Sequence, residues 1–437
     1  MRRDSKCIEV IVTFKKICVV GLGYIGLPTA STFAAHGVQV VGVDINPGIL
    51  TTLRGGGLHI VEPGLKTLFQ KAISSGNLTF QDTPEEADAF LISVPTPFKD
   101  GKLADMRFVI SATESLVPFI RKGCLVILES TSPPQTTIKL LQPILERSGL
   151  KCGEDFYLAY SPERVLPGQI LRELIENARV IGGVNTKSAE MGRDLYSIFV
   201  KGEIVLTDAT TAEMVKLMEN TYRDVNIAIA NEFALLSDRM GIDVWEAISI
   251  ANRHPLVKVL NPGPGVGGHC ISVDPWFLVE AAPDITPLIK TARIVNDTQP
   301  KRVVDWMQRK IGSLIGKKIA SLGLSYKPDV DDFRESPAVE VAHLLKAEGA
   351  EVIAYDPYAC GDTFHEISLV DELDAIINKA DAVLLLVAHE KFKALKPEYF
   401  SGWLQKPVLF DVVNVWNSPE WRSSPLRIFR LGDNKTG

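Results

Sequence analysis

The chain has 437 residues, 46% hydrophobic and 23% charged, the composition of a soluble globular protein long enough for two or three domains. A formal net charge of −6, with no stripe of basic and aromatic residues, argues against a nucleic-acid partner. The six cysteines are scattered, without the CxxC spacings of zinc or redox sites, which points to a reducing, cytoplasmic setting.

Residues 1–12 carry two arginines but no apolar core and no small-residue cleavage site, so an extra edge strand or a frayed extension is expected there rather than a signal peptide. The apolar stretch 17–43 is interrupted by glycines, a proline and a histidine, and reads poorly as a membrane span. Within it a strand-like run stops at Gly21-Leu22-Gly23-Tyr24-Ile25-Gly26. A helical stretch follows, and a second apolar run ends in Asp44. This strand–turn–helix–strand–acid order is the setting in which GxGxxG marks a dinucleotide site. Gly21 permits the tight turn, Gly23 lets a pyrophosphate approach, and Gly26 lets helix pack on strand; Tyr24 and Ile25 lie in the same turn as expected cofactor contacts. The helix N-terminus offers oriented N–H groups to phosphate. Asp44 is expected to accept from ribose hydroxyls and to repel a 2′-phosphate, so NAD is expected rather than NADP. Two later strands of this sheet end at Val94-Pro95-Thr96-Pro97 and Glu129-Ser130-Thr131-Ser132-Pro133. Ligands of open α/β sheets bind beyond the carboxyl ends of the strands, which places Thr96 and Thr131 to touch cofactor or substrate.

From residue 211 to 240 there is neither proline nor glycine, and Met214, Leu217, Met218, Ile227, Ile229, Phe233, Leu236 and Met240 fall mostly at helical spacing. A helix of about 30 residues spans roughly 45 Å, suited to a bridge between domains or a dimer spine; a core helix without chemistry is the plainer alternative. Next comes the glycine-dense loop Pro262-Gly263-Pro264-Gly265-Val266-Gly267-Gly268-His269-Cys270, with Asp274 four residues beyond the cysteine. Such a loop lets backbone N–H groups approach a ligand, and a thiol presented there can be a nucleophile. A tight turn leading to a buried structural cysteine is the plain alternative.

The end of the chain repeats its beginning: residues 317–326, 349–356, 380–387 and 407–413 answer 15–24, 37–44, 87–94 and 123–130 in the same order. Continuous apolar runs alternating with helices indicate parallel sheets covered on both faces. The expected fold is therefore α/β, with two Rossmann-like doubly wound parallel-sheet domains joined by a long central helix, divided as residues 1–205, 206–305 and 306–437. The second repeat keeps Gly323 but has Ser325 and Pro328 where the fingerprint carries glycine, and it gains Lys327 and Arg334. A different anion, not a second dinucleotide, is expected there.

Taken together these motifs resemble the UDP-glucose/GDP-mannose dehydrogenase family over residues 15–416. The pieces that carry the resemblance are Gly-Leu-Gly-Tyr-Ile-Gly-Leu-Pro at 21–28, Ser-Val-Pro-Thr-Pro at 93–97, Glu-Ser-Thr-Ser-Pro at 129–133 and Ser-Pro-Glu-Arg-Val at 161–165. Lys216 with Asn220, Gly-Gly-His-Cys at 267–270 and Asp-Asp-Phe-Arg-Glu-Ser-Pro at 331–337 complete the set. Asn252-Arg253-His254-Pro255 and the run from Cys270 to Phe277 look most like the branch that oxidises UDP-N-acetyl-D-mannosamine. The resemblance implies a homodimer formed through the central helix, an N-terminal NAD domain and a C-terminal domain for the UDP moiety. It implies oxidation of the sugar C6 alcohol to a carboxylate with two NAD, as a step towards surface polysaccharide. Cys270 would form a thiohemiacetal and then a thioester. Lys216 would move protons and stabilise the oxyanion, with Asn220 on the same helix face. Asp274 and Thr131 would position the hydrolytic water, with Glu163 acting at the same step. Arg164, Val165, Lys216, Asn220, Arg223, His254, Gly267, Tyr326 and Lys327 match substrate contacts, and Arg334 matches a cofactor contact.

Three places depart from the family pattern. Leu256 and Val413 stand where relatives carry cations, and Pro134-Gln135 stands where relatives often have a glycine. The first two leave open a UDP-N-acetylglucosamine or UDP-glucose 6-dehydrogenase. A two-electron β-hydroxyacid-type dehydrogenase would also use a Lys-x-x-x-Asn helix. A zinc enzyme using His269, Cys270 and Asp274 is disfavoured because adjacent residues rarely converge on one tetrahedral ion, so no metal is expected. A non-catalytic nucleotide-sugar sensor would not need both Cys270 and Lys216.

Overall fold

The computed structural model describes residues 14–166, 168–268, 270–361, 363–377, 380–401 and 408–434; the expected strand or extension at residues 1–12 lies outside them. The chain divides into two compact units at the Met218–Glu219 bond.

In the first unit the strands are β1 (Lys16–Val20), β2 (Gln39–Val43), β3 (Leu78–Gln81), β4 (Ala89–Ile92), a hairpin of β5 (Phe98–Lys99) and β6 (Leu103–Ala104), then β7 (Leu125–Leu128), β8 (Tyr157–Tyr160), β9 (Arg179–Gly183) and β10 (Ile204–Asp208). All but the hairpin form one sheet in the order β10-β9-β8-β7-β4-β1-β2-β3. Its central strands β1, β2, β4 and β7 are apolar from their second residue on because both faces are covered. Ile17, Val19, Val40, Leu91 and Ile127 point into one core, and their neighbours Cys18, Val20, Val41, Ile92 and Val126 into another. Each such aliphatic side chain taken from water contributes about 1.5–3 kcal/mol.

One pairing departs from the expected parallel sheet. β8 runs antiparallel to β9, with Ala159 opposite Gly183 and Tyr160 opposite Gly182. The connection between them turns back through the short helix Ile170–Glu176 instead of crossing over. Its register, continued past Tyr160, brings Glu163 opposite Arg179.

In the second unit β11 (Lys318–Leu322), β12 (Glu351–Tyr355), β13 (Thr363–Phe364), β14 (Ile367–Leu369), β15 (Ala382–Leu385), β16 (Val408–Asp411) and β17 (Ile428–Arg430) form a sheet in the order β13-β14-β12-β11-β15-β16-β17. It is parallel apart from the β13–β14 pair. Its centre repeats the first sheet in register: Lys318 pairs with Glu351 as Lys16 pairs with Gln39, and Ile319 with Ala382 as Ile17 with Ala89. Again alternate residues serve two cores, Ile319 and Leu384 in one, Ala320 and Leu385 in the other.

The long helix runs over Ala209–Met240, 32 residues. Asp208 Oδ1 accepts from Thr211 N at 2.9 Å, a side-chain cap. Gly241, at φ 72°, supplies the left-handed residue that stops it. Among the described residues no helix is long and apolar enough to cross a membrane.

Candidate active site

The first unit builds a dinucleotide turn. Gly21 has φ 93°, and a Cβ there would stand 2.6 Å from Ser93 O; a Cβ on Gly26 would stand 1.8 Å from Gly21 O. Neither position tolerates a side chain. A Cβ on Gly23 would meet nothing within 4 Å, so that side of the turn is open for a pyrophosphate. Tyr24 and Ile25 are half-buried beside it. Asp44 Oδ2 accepts from Leu22 N at 3.0 Å and Oδ1 from Asn46 N at 2.9 Å, which aims the carboxylate while leaving it half-exposed. Ile45, next to it, is 83% exposed. The turn fits NAD, with an open approach at Gly23 and an acid, not a cation, at the ribose end. Thr96 is buried and Thr131 half-buried beyond the carboxyl ends of β4 and β7. Ser130 Oγ ties the two loops by donating to Val94 O at 2.7 Å.

The departure at Gln135 has a backbone consequence. Gln135 sits at φ 74°, the left-handed region in which a glycine is at ease. Its N–H donates to buried Glu213 at 2.5 Å, and Glu213 also accepts from Thr137 N and Oγ1 at 2.8 and 2.6 Å. Those three bonds hold the Thr131–Thr137 segment to the long helix, three residues before Lys216.

Lys216 and Asn220 are both buried and lie one turn apart on that helix. In the second unit Asn220 Nδ2 donates to Asp274 Oδ2 at 2.5 Å. Asp274, itself buried, opens the helix Asp274–Ala281 and donates its N–H to Cys270 O at 2.8 Å. Cys270 is exposed.

The glycines before Cys270 allow close packing. A Cβ on Gly267 would stand 2.5 Å from Glu335 O, and one on Gly268 (φ 83°) would stand 2.7 Å from the Tyr326 ring. Gly268 N donates to Arg334 O at 3.0 Å. The cysteine loop is thus stitched to residues 326–337. Burial raises the Tyr326 phenol, and Asp332 and Cys270 add to the rise while Arg334 and Arg223 oppose it. These groups therefore share one electrostatic neighbourhood. Arg334 is forked onto Asp332 at 2.9 and 2.6 Å. Lys327 is half-buried. His254 stands on an exposed loop, where its Nδ1 accepts from Leu256 N at 3.3 Å; Leu256 is 90% exposed. At the Val413 departure the turn is held by Asp411, which accepts from Val413 N at 3.0 Å and Trp416 N at 2.7 Å.

Sequence reasoning missed a buried polar cluster in the first unit. Arg179 Nη2 donates to Glu163 Oε2 at 2.8 Å, and Nη1 donates to Ser161 Oγ at 3.1 Å and lies 3.8 Å from Glu129. Tyr196 donates to Glu129 at 2.6 Å. Burial raises the Glu129 carboxyl, Glu163 adds to the rise, and Arg179 opposes it. Arg164 Nη1 donates to Ala178 O at 3.1 Å, and Val165 packs on the core. No local signal marks Arg179; only the antiparallel register delivers it. Among the described residues no group of three or more His, Cys, Asp and Glu could hold a metal; His269 lies outside them.

A dinucleotide turn followed by a second, altered repeat defines a dinucleotide-binding protein of Rossmann type. Three models of the UDP-glucose/GDP-mannose dehydrogenase family match the chain: the NAD binding domain at residues 15–200, the central domain at 210–298 and the UDP binding domain at 320–418. A UDP-N-acetyl-D-mannosamine dehydrogenase of Methanococcus maripaludis is 48% identical over 429 residues, covering 96% of this chain and 97% of its own. An NDP-N-acetyl-D-galactosaminuronic acid dehydrogenase of Ralstonia nicotianae is 45% identical, covering 93% and 97%. The structure of a UDP-D-ManNAc dehydrogenase from Pyrococcus horikoshii superposes with a TM-score of 0.90 at 40% identity, covering 96% of this chain and all of that one. The chain belongs to the UDP-glucose/GDP-mannose dehydrogenase family, whose members are NAD-dependent nucleotide-sugar dehydrogenases.

Proposed function

We propose that the chain oxidises the C6 hydroxyl of UDP-N-acetyl-D-mannosamine to the uronate, a precursor of surface polysaccharide, by way of Cys270. What carries this reading is the exposed thiol whose own peptide oxygen accepts from Asp274, with Asp274 held by Asn220. NAD, when bound, accepts one hydride in each of two oxidations. In the first, Lys216 takes the hydroxyl proton as the C6 carbon gives up its hydride, leaving an aldehyde. The Cys270 thiolate bonds to that carbon, and the oxygen takes a proton to give a thiohemiacetal. Loss of the hydroxyl proton and a second hydride leaves a thioester. Covalent capture divides a hard step and retains the aldehyde. Water then bonds to the acyl carbon, the carbon–sulfur bond breaks with its electron pair returning to Sγ, and the acid leaves as carboxylate. Asn220 and protonated Lys216 stabilise the oxyanions, and Asp274, Thr131 and Glu163 orient the water.

In this reading residues 1–205 take NAD, 206–305 supply the dimer helix and the catalytic segment, and 306–437 take UDP. Arg164, Val165, Arg223, His254, Gly267, Tyr326 and Lys327 contact substrate, and Arg334 contacts cofactor. The choice of sugar is supported by the mannosamine dehydrogenase relatives, against a galactosaminuronate-type relative of similar identity. A panel of UDP-sugars scored for NADH per acid formed tests it. The expected result is two NADH per acid, fastest with the N-acetylmannosamine sugar. A ratio of one would instead make this a two-electron β-hydroxyacid-type dehydrogenase. Cys270→Ser should form no acid above on the order of a thousandth of the parent rate.

A further inference from the structure

The two repeats share strand order, register and an aspartate at the end of the second strand, yet one family domain is matched to NAD and the other to UDP. The aspartates differ in what surrounds them. Asp44 is half-exposed, whereas Asp356 is 4% exposed. Asp356 Oδ2 accepts from Leu324 N at 2.7 Å and Ser325 N at 3.0 Å, and Oδ1 accepts from Tyr358 N at 2.8 Å. A further donor, His389 Nε2, lies 3.2 Å from Oδ2. A carboxylate so occupied and so buried has nothing left for a ribose.

His389 stands as far beyond Ala382 in β15 as Thr96 stands beyond Ala89 in β4, so it takes the place of a buried residue just past the carboxyl end of β4 in the first repeat. It is fully buried, between the Tyr358 ring at 5.3 Å and the Phe392 ring at 5.5 Å. Its Nδ1 accepts from Asp329 N at 2.9 Å, so the ring proton is on Nε2, facing Asp356 and, at 3.2 Å, Ser325 Oγ. Ser325 Oγ in turn donates to Lys327 O at 2.9 Å. Asp329 has φ 60°, a conformation a non-glycine residue holds only when its surroundings impose it. One imidazole therefore ties both ends of the loop that carries Tyr326 and Lys327 to the aspartate beneath it.

We propose that His389 is a positioning and specificity-determining residue of the second repeat. Through Nδ1 it sets the Tyr326–Lys327 loop for the UDP moiety, and through Nε2 it occupies the aspartate that a dinucleotide would need. This rests on the reading that Tyr326 and Lys327 face the nucleotide-sugar.

The two ring nitrogens can be separated by substitution. Asn offers an oxygen near the place of Nδ1 and loses the contact to Asp356; Gln offers an amide near the place of Nε2 and loses the anchor of Asp329. UDP binding is measured by calorimetry on the full chain, alongside KM for NAD and kcat at saturating sugar. His389→Asn should bind UDP within about threefold of the parent, and His389→Gln should bind it about tenfold or more weakly, the value of one lost buried hydrogen bond. KM for NAD should be the same in both. Equal UDP affinity in parent and Gln variant overturns the proposal, as does a KM for NAD that moves in step with UDP. If either variant folds poorly, Asp329→Gly, which relaxes the positive φ but keeps the N–H, must leave UDP affinity within about threefold; a larger loss also overturns it. A parent that binds UDP but turns over no UDP-sugar sinks the catalytic reading alone.

Discussion

At the scale of single residues, chemistry follows burial. Burial pushes the Cys18 and Cys152 thiols up to about 12 and raises Cys124 as well, whereas Cys270 and Cys360 are exposed. The thiolate is the reactive form. Brief treatment of the native protein with iodoacetamide near neutral pH, mapped by mass spectrometry, should therefore label Cys270 and Cys360 and spare Cys18, Cys124 and Cys152. Saturating UDP-sugar should protect Cys270 and leave Cys360 labelled; unchanged labelling of Cys270 would count against its place at the substrate. Cys270 was legible as a candidate because the glycines before it are local. What could not be read is why those glycines are needed. Gly267 and Gly268 answer to Glu335 and Tyr326, roughly sixty residues away in sequence.

Among elements, the long helix carries an apolar stripe that stays exposed among the described residues. Met214, Met218, Tyr222, Ile229, Phe233, Leu236 and Met240 are 37–67% exposed and recur mostly every three or four residues. Exposed apolar faces of this kind mark interaction surfaces. Phe233→Glu with Leu236→Glu should convert a dimer to monomers in sedimentation, at unchanged helix content; a parent that is already monomeric would remove the dimer from the proposal. The stripe was visible as periodicity. The β8–β9 pairing was not, since an apolar strand reads alike in either direction. That reversal sets Arg179 opposite Glu163 and places two carboxylates around one guanidinium, an arrangement that is costly to bury and so favours a role in fixing geometry.

For the molecule as a whole, duplication supplies one frame and burial divides its uses. Asp411, at the carboxyl end of β16, is pushed up to about 6 by burial. An unfolded aspartate titrates near 3.9, so between these values the folded state holds the extra proton. The contribution is full below about pH 4 and is lost as pH rises through about 6. Chemical denaturation of Asp411→Asn should show a fall in stability across that window smaller than the parent's by up to about 3 kcal/mol. An identical slope in the two proteins would assign the pH dependence to other groups.

The sequence by itself determined the central strands of both sheets, the dinucleotide turn, the long helix, the internal repeat and the family. Each rests on residues close in the chain or on spacing that repeats along it, and periodicity and glycine stereochemistry act locally. Only the tertiary structure decided that Asp356 is closed by His389 while Asp44 stays open, that Glu163 meets Arg179, and that Asn220 holds Asp274. Those pairs lie 16 to 54 residues apart. A hydrogen bond depends on tenths of an ångström between groups that only the packed core brings together.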